Sequence, residues 1–199
     1  MKPARLALLA YALAATVAAV PVVVNPTLRA TYVGLLAHWR AKAIPPRYVF
    51  IGDSITAGRG AALDSINLGE SGLLTFQIVD RAATAMKYHP DAIVVMAGTN
   101  DAMRGDLDRL PAEWDRLFAV AGNTPVIVTL APMTANAAFN EKILAIDEIA
   151  RTAALEHSAR IVDLSPELAP GGTLEPRYTV DGVHLSNAAY AVWTAKIGD

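Results

Sequence analysis

The sequence predicts an α/β domain in which a mainly parallel sheet of about five strands lies between helix layers, preceded by an apolar N-terminal helix. Three observations carry this. Short runs recur that are apolar at nearly every position, the mark of strands buried on both faces. They alternate with longer segments whose apolar residues return at helical spacing. The chain has 199 residues, enough for one domain of ordinary size plus a short extension, and too few for two comfortable domains.

The extension comes first. Lys2 and Arg5 precede an almost wholly apolar run from Leu6 to Val24, interrupted only by Thr16 and Pro21. As a helix this run would extend ~28 Å, close to the hydrocarbon thickness of a bilayer. A positive start followed by an apolar run is what export machinery reads, so residues 1–24 are expected to form a signal anchor or a signal peptide. Val17-Ala18-Ala19 offers a cleavage site after Ala19; continued apolar character through Val20, Val22, Val23 and Val24 favours the retained anchor. Residues 25–46 are expected to be an amphipathic linker helix. Leu28, Tyr32, Leu35, Leu36 and Trp39 recur at helical spacing, with Arg29, Arg40 and Lys42 on other faces. Such a helix lies on the membrane surface or packs on the domain that follows, and the pattern leaves both open. Lys2 and Arg5 favour a cytoplasmic N-terminus, while Arg40, Lys42 and Arg47 pull weakly the other way. The expectation is an exported, membrane-anchored protein with its domain on the extracytoplasmic side, periplasmic if the source is Gram-negative. Pro45-Pro46 cannot continue a helix and marks the boundary.

Residues 47–199 form the predicted domain. Tyr48-Val49-Phe50-Ile51, ended by Gly52, suits a buried strand, and Ser65-Ile66-Asn67-Leu68 is a weaker second. A helix is predicted from Leu74 to Lys87, with Ile78, Ala82, Ala85 and Met86 inward. Asp91 to Ala97 is the strongest strand, stopped by Gly98. Pro111 opens a helix carrying Trp114, Leu117 and Phe118, and Gly122 closes it. Pro125 to Leu130 is a strand, Ala138 to Glu156 a long helix, Arg160 to Asp163 a short last strand, and Ser186 to Ile197 a closing helix.

Composition removes several function classes. With 17 basic and 19 acidic residues and a net charge of −2, the chain lacks the cationic face that nucleic acid requires. At 53% hydrophobic and 18% charged it is no disordered tail, and part of it is expected in or on lipid. There is no cysteine, so disulfides, thiolate metal sites and cysteine catalysis are all excluded. A covalent nucleophile must be a hydroxyl, an amine or a carboxylate.

In parallel sheets ligands bind beyond the carboxyl ends of the strands, so reactive residues should follow strands. Gly52-Asp53-Ser54-Ile55-Thr56 follows the first strand, Gly69-Glu70-Ser71-Gly72 the second and Gly98-Thr99-Asn100-Asp101 the third, while Asp181-Gly182-Val183-His184 comes late in the chain. A serine needs a base to take its proton, and histidine suits neutral pH. The histidine needs a carboxylate to fix its tautomer. Asp181, three residues before His184, is the obvious one, and Asp101 is the alternative, better suited to a hydrogen bond behind Asn100. The N–H groups of Ser54 and Gly69 and the Asn100 side-chain amide could form an oxyanion hole.

These four segments resemble the blocks of the GDSL/SGNH hydrolases, in order and at plausible separations. The family's Ser, Gly, Asn and His match Ser54, Gly69, Asn100 and His184. The resemblance runs from about Arg47 to the C-terminus. It implies a three-layer α/β/α, flavodoxin-like domain that cleaves esters or thioesters through an acyl-enzyme, with no metal and no other cofactor. The leading block reads Gly-Asp-Ser-Ile where the name-giving motif has Leu, a mild departure.

Blander roles stand beside these. Ser54 alone would be a helix N-cap, a reading that His184 and Asn100 reverse. Asp53 caps local backbone and Gly72 opens the next helix. His38, His89 and His157 have no partner at ligand spacing. Gly52 to Gly60 lacks the lysine of a phosphate-binding loop. The expected activity is a serine esterase or acylhydrolase acting on small acyl esters. The alternatives are an O-acyltransferase or deacetylase of envelope polysaccharide with the same triad, and a silent membrane-tethered binding domain. Acyl-chain preference rests on the loops Arg59–Asp64, Met103–Leu110 and Met133–Phe139, and the sequence leaves it, like the oligomeric state, open.

Overall fold

The five strands among the described residues, β1 (Tyr48–Gly52), β2 (Ser65–Asn67), β3 (Ala92–Met96), β4 (Val126–Thr129) and β5 (Arg160–Val162), all pair in parallel, in the order β2-β1-β3-β4-β5. The computed structural model describes residues 45–60, 64–104 and 107–198. The apolar helix expected over residues 1–24, and residues 25–44 of the amphipathic one, lie outside the described residues. Among the described residues no helix is long and apolar enough to cross a membrane.

Every residue of β3 and β4 is buried, as continuous apolar runs demand. The edge strands β2 and β5 are three residues each, short enough to offer little unpaired backbone. Tyr48 to Gly52 lies in register with Ala92 to Met96, so β1 and β3 end side by side.

The helices are α1 (Ser54–Gly58), α2 (Thr75–Met86), α3 (Thr99–Arg104), α4 (Leu110–Ala121), α5 (Ala137–Glu156), α6 (Ser165–Leu168) and α7 (Asn187–Gly198), with a 3-10 turn at Pro176–Tyr178. Their ends follow local chemistry. Gln77 accepts the N–H of Leu74 at 3.0 Å as α2 begins. Asn136 caps α5 by accepting from the N–H of Phe139 at 3.2 Å. Gly122 closes α4 at φ +57°, its N–H donating to Phe118.

Helices flank the sheet. Phe50, Val94, Met96, Ile127 and Val162 alternate onto one face and pack with Ala189, Trp193 and Ile197 of α7. Outside that cluster α2 packs on β1 and α4, α4 on α5, and α5 on β4 and β5. The fold is the expected α/β one.

Sheet order reverses about β1: β2 follows it on one side and β3 lies on the other. A crevice opens at such a point beyond the strand ends. Ser54 follows β1 there, and Asn100 follows β3.

Candidate active site

The turn after β1 is built tightly. A Cβ on Gly52 would lie 2.0 Å from Thr56 Oγ1 and 2.8 Å from the Met96 carbonyl oxygen, so only glycine lets β1 pass β3 and turn at once. Asp53 is 1% exposed, and its Oδ1 accepts the N–H of Ile55 at 2.9 Å. That bond caps α1 and makes Ser54 its first residue. The first N–H groups of a helix have no intrahelical partner, so the Ser54 N–H is open to an acceptor outside α1. Burial pushes the Asp53 carboxyl up to about 6, opposed by the Ile55 N–H and by His184.

The late loop is folded around Thr179 and Asp181. Thr179 and Leu185 form an antiparallel bridge, and Thr179 Oγ1 donates to the His184 carbonyl at 2.8 Å while accepting from the N–H of Gly182 at 2.8 Å. Gly182 sits at φ +92°, a conformation glycine adopts freely. Its carbonyl accepts the N–H of Ala135 at 2.8 Å, which ties the loop to the segment after β4. Asp181 Oδ1 accepts the N–H groups of Val183 at 3.0 Å and His184 at 2.7 Å.

This places His184 between an acid and an alcohol. Its Nδ1 is 2.6 Å from Asp181 Oδ2, and its Nε2 is 3.0 Å from Ser54 Oγ across 130 residues of sequence. The Asp181 side chain is 50% exposed and that of His184 42%, so the histidine lies at an open rim. The N–H of His184, its ring and the N–H of Val183 together hold the Asp181 carboxyl down to about 2. An ionised Asp181 on Nδ1 leaves Nε2 as the acceptor that faces the serine.

The other predicted residues are placed as follows. Asp101 Oδ2 accepts from the N–H of Thr75 at 3.0 Å and from Thr75 Oγ1 at 2.8 Å, and so ties α3 to the start of α2. The Asn100 amide donates to the Leu73 carbonyl at 2.9 Å, which uses one of its two hydrogens. The N–H of Gly69 donates to Asn67 Oδ1 at 2.9 Å. It is therefore engaged within its own turn. Gly69 is required there for a different reason: a Cβ would meet the Ala57 nitrogen at 2.6 Å. Gly72 stands in the turn before α2 at φ +80°, not at the start of that helix. His157 stacks on Phe118 at 4.2 Å, and His38 lies outside the described residues.

Three contributors went unseen in the sequence. Asn67, Thr179 and Ala135 act through hydrogen bonds to backbone that is distant or locally irregular. Only Asn67 carried a signal, an asparagine two residues before a glycine just after a strand.

Residues 50–192 match the model of the GDSL-like lipase/acylhydrolase family. No curated protein matches the chain. Among solved structures, a GDSL-like lipase from Bacteroides thetaiotaomicron is 23% identical with a TM-score of 0.67, covering 81% of this chain and 93% of its own. A lipase/acylhydrolase from Enterococcus faecalis is 22% identical with a TM-score of 0.62, covering 76% and 93%. A variant of an acetyl xylan esterase from Geobacillus stearothermophilus is 20% identical with a TM-score of 0.64, covering 76% and 94%. At these identities the likeness to the solved structures is one of fold.

Proposed function

Because the chain belongs to the GDSL-like lipase/acylhydrolase family, we propose that it is a serine esterase that cleaves small acyl esters or thioesters through an acyl-enzyme on Ser54. The observation that carries this is the continuous line of contacts from Asp181 through His184 to Ser54 Oγ.

The reaction runs in two halves. His184 Nε2 takes the Ser54 proton as Oγ attacks the acyl carbon, and the carbonyl oxygen becomes an oxyanion. Asp181 steadies the imidazolium that forms. His184 then gives the proton to the leaving alcohol or thiol, and the acyl group stays on Oγ. Water enters, loses a proton to His184 and attacks the ester, and Ser54 recovers its proton as the acid departs. The oxyanion is met by the Ser54 N–H and by the second hydrogen of the Asn100 amide. The N–H of Gly69, expected as a third donor, would first have to release Asn67 Oδ1.

The exposure of Asp181 and His184 favours a second substrate class with the same chemistry: short acyl groups on a bulky polar scaffold, such as acetylated envelope polysaccharide. Transfer of the acyl group to a sugar instead of water uses the same first half. The apolar run over residues 1–24 adds export and anchoring on the extracytoplasmic side to this proposal.

Turnover of p-nitrophenyl esters of increasing chain length, and of acetylated sugars, tests it. Ser54→Ala is expected to abolish both turnover and labelling by a fluorophosphonate probe. Hydrolysis at the normal rate without Ser54 would sink the proposal, and a protein that never labels would be a silent binding domain.

A further inference from the structure

The turn after β2 is organised by one side chain. Asn67, the last residue of that strand, donates through Nδ2 to the Thr56 carbonyl at 2.7 Å and to the Gly60 carbonyl at 2.9 Å. Its Oδ1 accepts the N–H of Gly69 at 2.9 Å. The reversed amide would aim its oxygen at two carbonyls, so the three bonds define one orientation.

Both carbonyls belong to α1 and the turn that ends it, the helix whose first residue is Ser54. The backbone of Gly69 is pressed on that helix, with room for no Cβ. Leu68 and Glu70 donate to the Phe50 and Gly52 carbonyls at 2.8 and 3.0 Å, laying the same stretch along β1. A few residues on, the Leu73 carbonyl holds the Asn100 amide at 2.9 Å. The short backbone stretch from Gly69 to Leu73 thus joins the turn that Asn67 ties to the nucleophile's helix to the group that aims Asn100.

We infer that Asn67 is a positioning residue that sets the separation between Ser54 and the Asn100 amide, and so assembles the oxyanion donors without touching substrate. This rests on the roles proposed above for Ser54 and Asn100. Donors stabilise an oxyanion only within a narrow distance, and a misplacement of ~1 Å costs on the order of 100-fold in rate. Without Asn67 the turn keeps its bonds to β1 and loses its side-chain tie to α1. The ground-state ester contacts these donors weakly, so the loss should fall on kcat.

The experiment compares the full chain with Asn67→Ala, Asn67→Asp, Asn100→Ala and Asn67→Ala/Asn100→Ala on p-nitrophenyl acetate, with Ser54→Ala as control. Circular dichroism and melting verify the fold. Asn67→Ala is expected to lower kcat by ~10- to 100-fold with KM changed by less than about twofold. Asn67→Asp, which keeps the acceptor for Gly69 and loses both donors, should fall as far. In the Asn100→Ala background, removing Asn67 should cost no more than about threefold, because both residues act on one donor. A role confined to stability would not produce that non-additivity. Folded Asn67→Ala with wild-type kcat, or a full additional loss in the Asn100→Ala background, overturns the inference. Should alanine fail to fold, Asn67→Asp and Asn67→Ser decide by the same two criteria. Turnover that survives in Ser54→Ala overturns the underlying reading, whereas inert Ser54→Ala beside fully active Asn67→Ala overturns this inference alone.

Discussion

Asp181 accepts two backbone N–H groups and the imidazole at once, and these bonds explain why it stays ionised while it serves His184. Its folded-state pKa, about 2, lies below the ordinary carboxylate range. The sign for a depressed acid is that its contribution is complete above the unfolded value and disappears as pH falls through about 2. Neutral-pH activity should therefore never be limited by protonation of Asp181. Asp181→Asn keeps an oxygen for the N–H groups of Val183 and His184, so the loop and the melting temperature should be preserved. It turns an amide towards Nδ1, which disfavours the productive tautomer, and kcat should drop by ~10²- to 10⁴-fold with little change in KM. Steady-state kinetics at pH 7 check this; activity within a few-fold of wild type would return the acid's role to another carboxylate. That Ser54, His184 and Asp181 meet was legible in sequence because their side chains are chemically complementary and Ser54 follows a recognisable strand end. The state of Gly69 was not legible. Whether a backbone N–H is open or occupied depends on a neighbour such as Asn67, and a glycine in the text carries no mark of it.

Strands and long helices follow from burial alone. The runs at 48–51, 91–97, 125–130 and 160–163 sit in the sheet within a residue or two of their expected ends, because continuous apolar character has one outlet in a parallel layer. Short helices are different. α1, α3 and α6 are too brief to show a 3.6-residue period, and caps and tertiary contacts define them. α7 joins these two kinds of information. Its Trp193 is 0% exposed, meets Phe50 edge-on at 5.9 Å and donates through Nε1 to Thr129 Oγ1 at 3.1 Å. Trp193→Phe should cost ~1–3 kcal/mol, mainly for leaving the buried Thr129 hydroxyl without its donor. Trp193→Ala should cost ~3–5 kcal/mol through the cavity as well. Urea midpoints measure both, and equal losses for the two variants would mean that packing in this layer is looser than its burial implies.

At the scale of the molecule, the sheet order brings the segments after β1 and β3 to one rim, and the loop before α7 closes over it. That loop is not self-supporting. It leans through the bond from Ala135 to Gly182 on the segment after β4, and that segment is held by Asp147 of α5, whose Oδ1 accepts the N–H of Ala131 at 2.8 Å. Asp147 is 6% exposed, and burial, with a smaller push from Asp163, raises its carboxyl to about 7 against the Ala131 N–H and Arg151. Here the sign is opposite to that of Asp181. The folded chain keeps a proton that the unfolded chain releases above the ordinary carboxylate range, so stability falls as pH rises towards 7 and stays lower beyond it. Asp53, raised to about 6 for the same reason, adds to the slope over the lower part of that window. Asp147→Asn is neutral and nearly isosteric, and its oxygen can still accept from Ala131. It should melt above the wild type by a margin that grows from pH 5 to pH 8, by about a few kcal/mol, while the part of the slope owed to Asp53 persists. Parallel melting curves for the two proteins from pH 5 to 8 would mean that Asp147 is charged in the fold at neutral pH, and that water or Arg151 compensates for its burial.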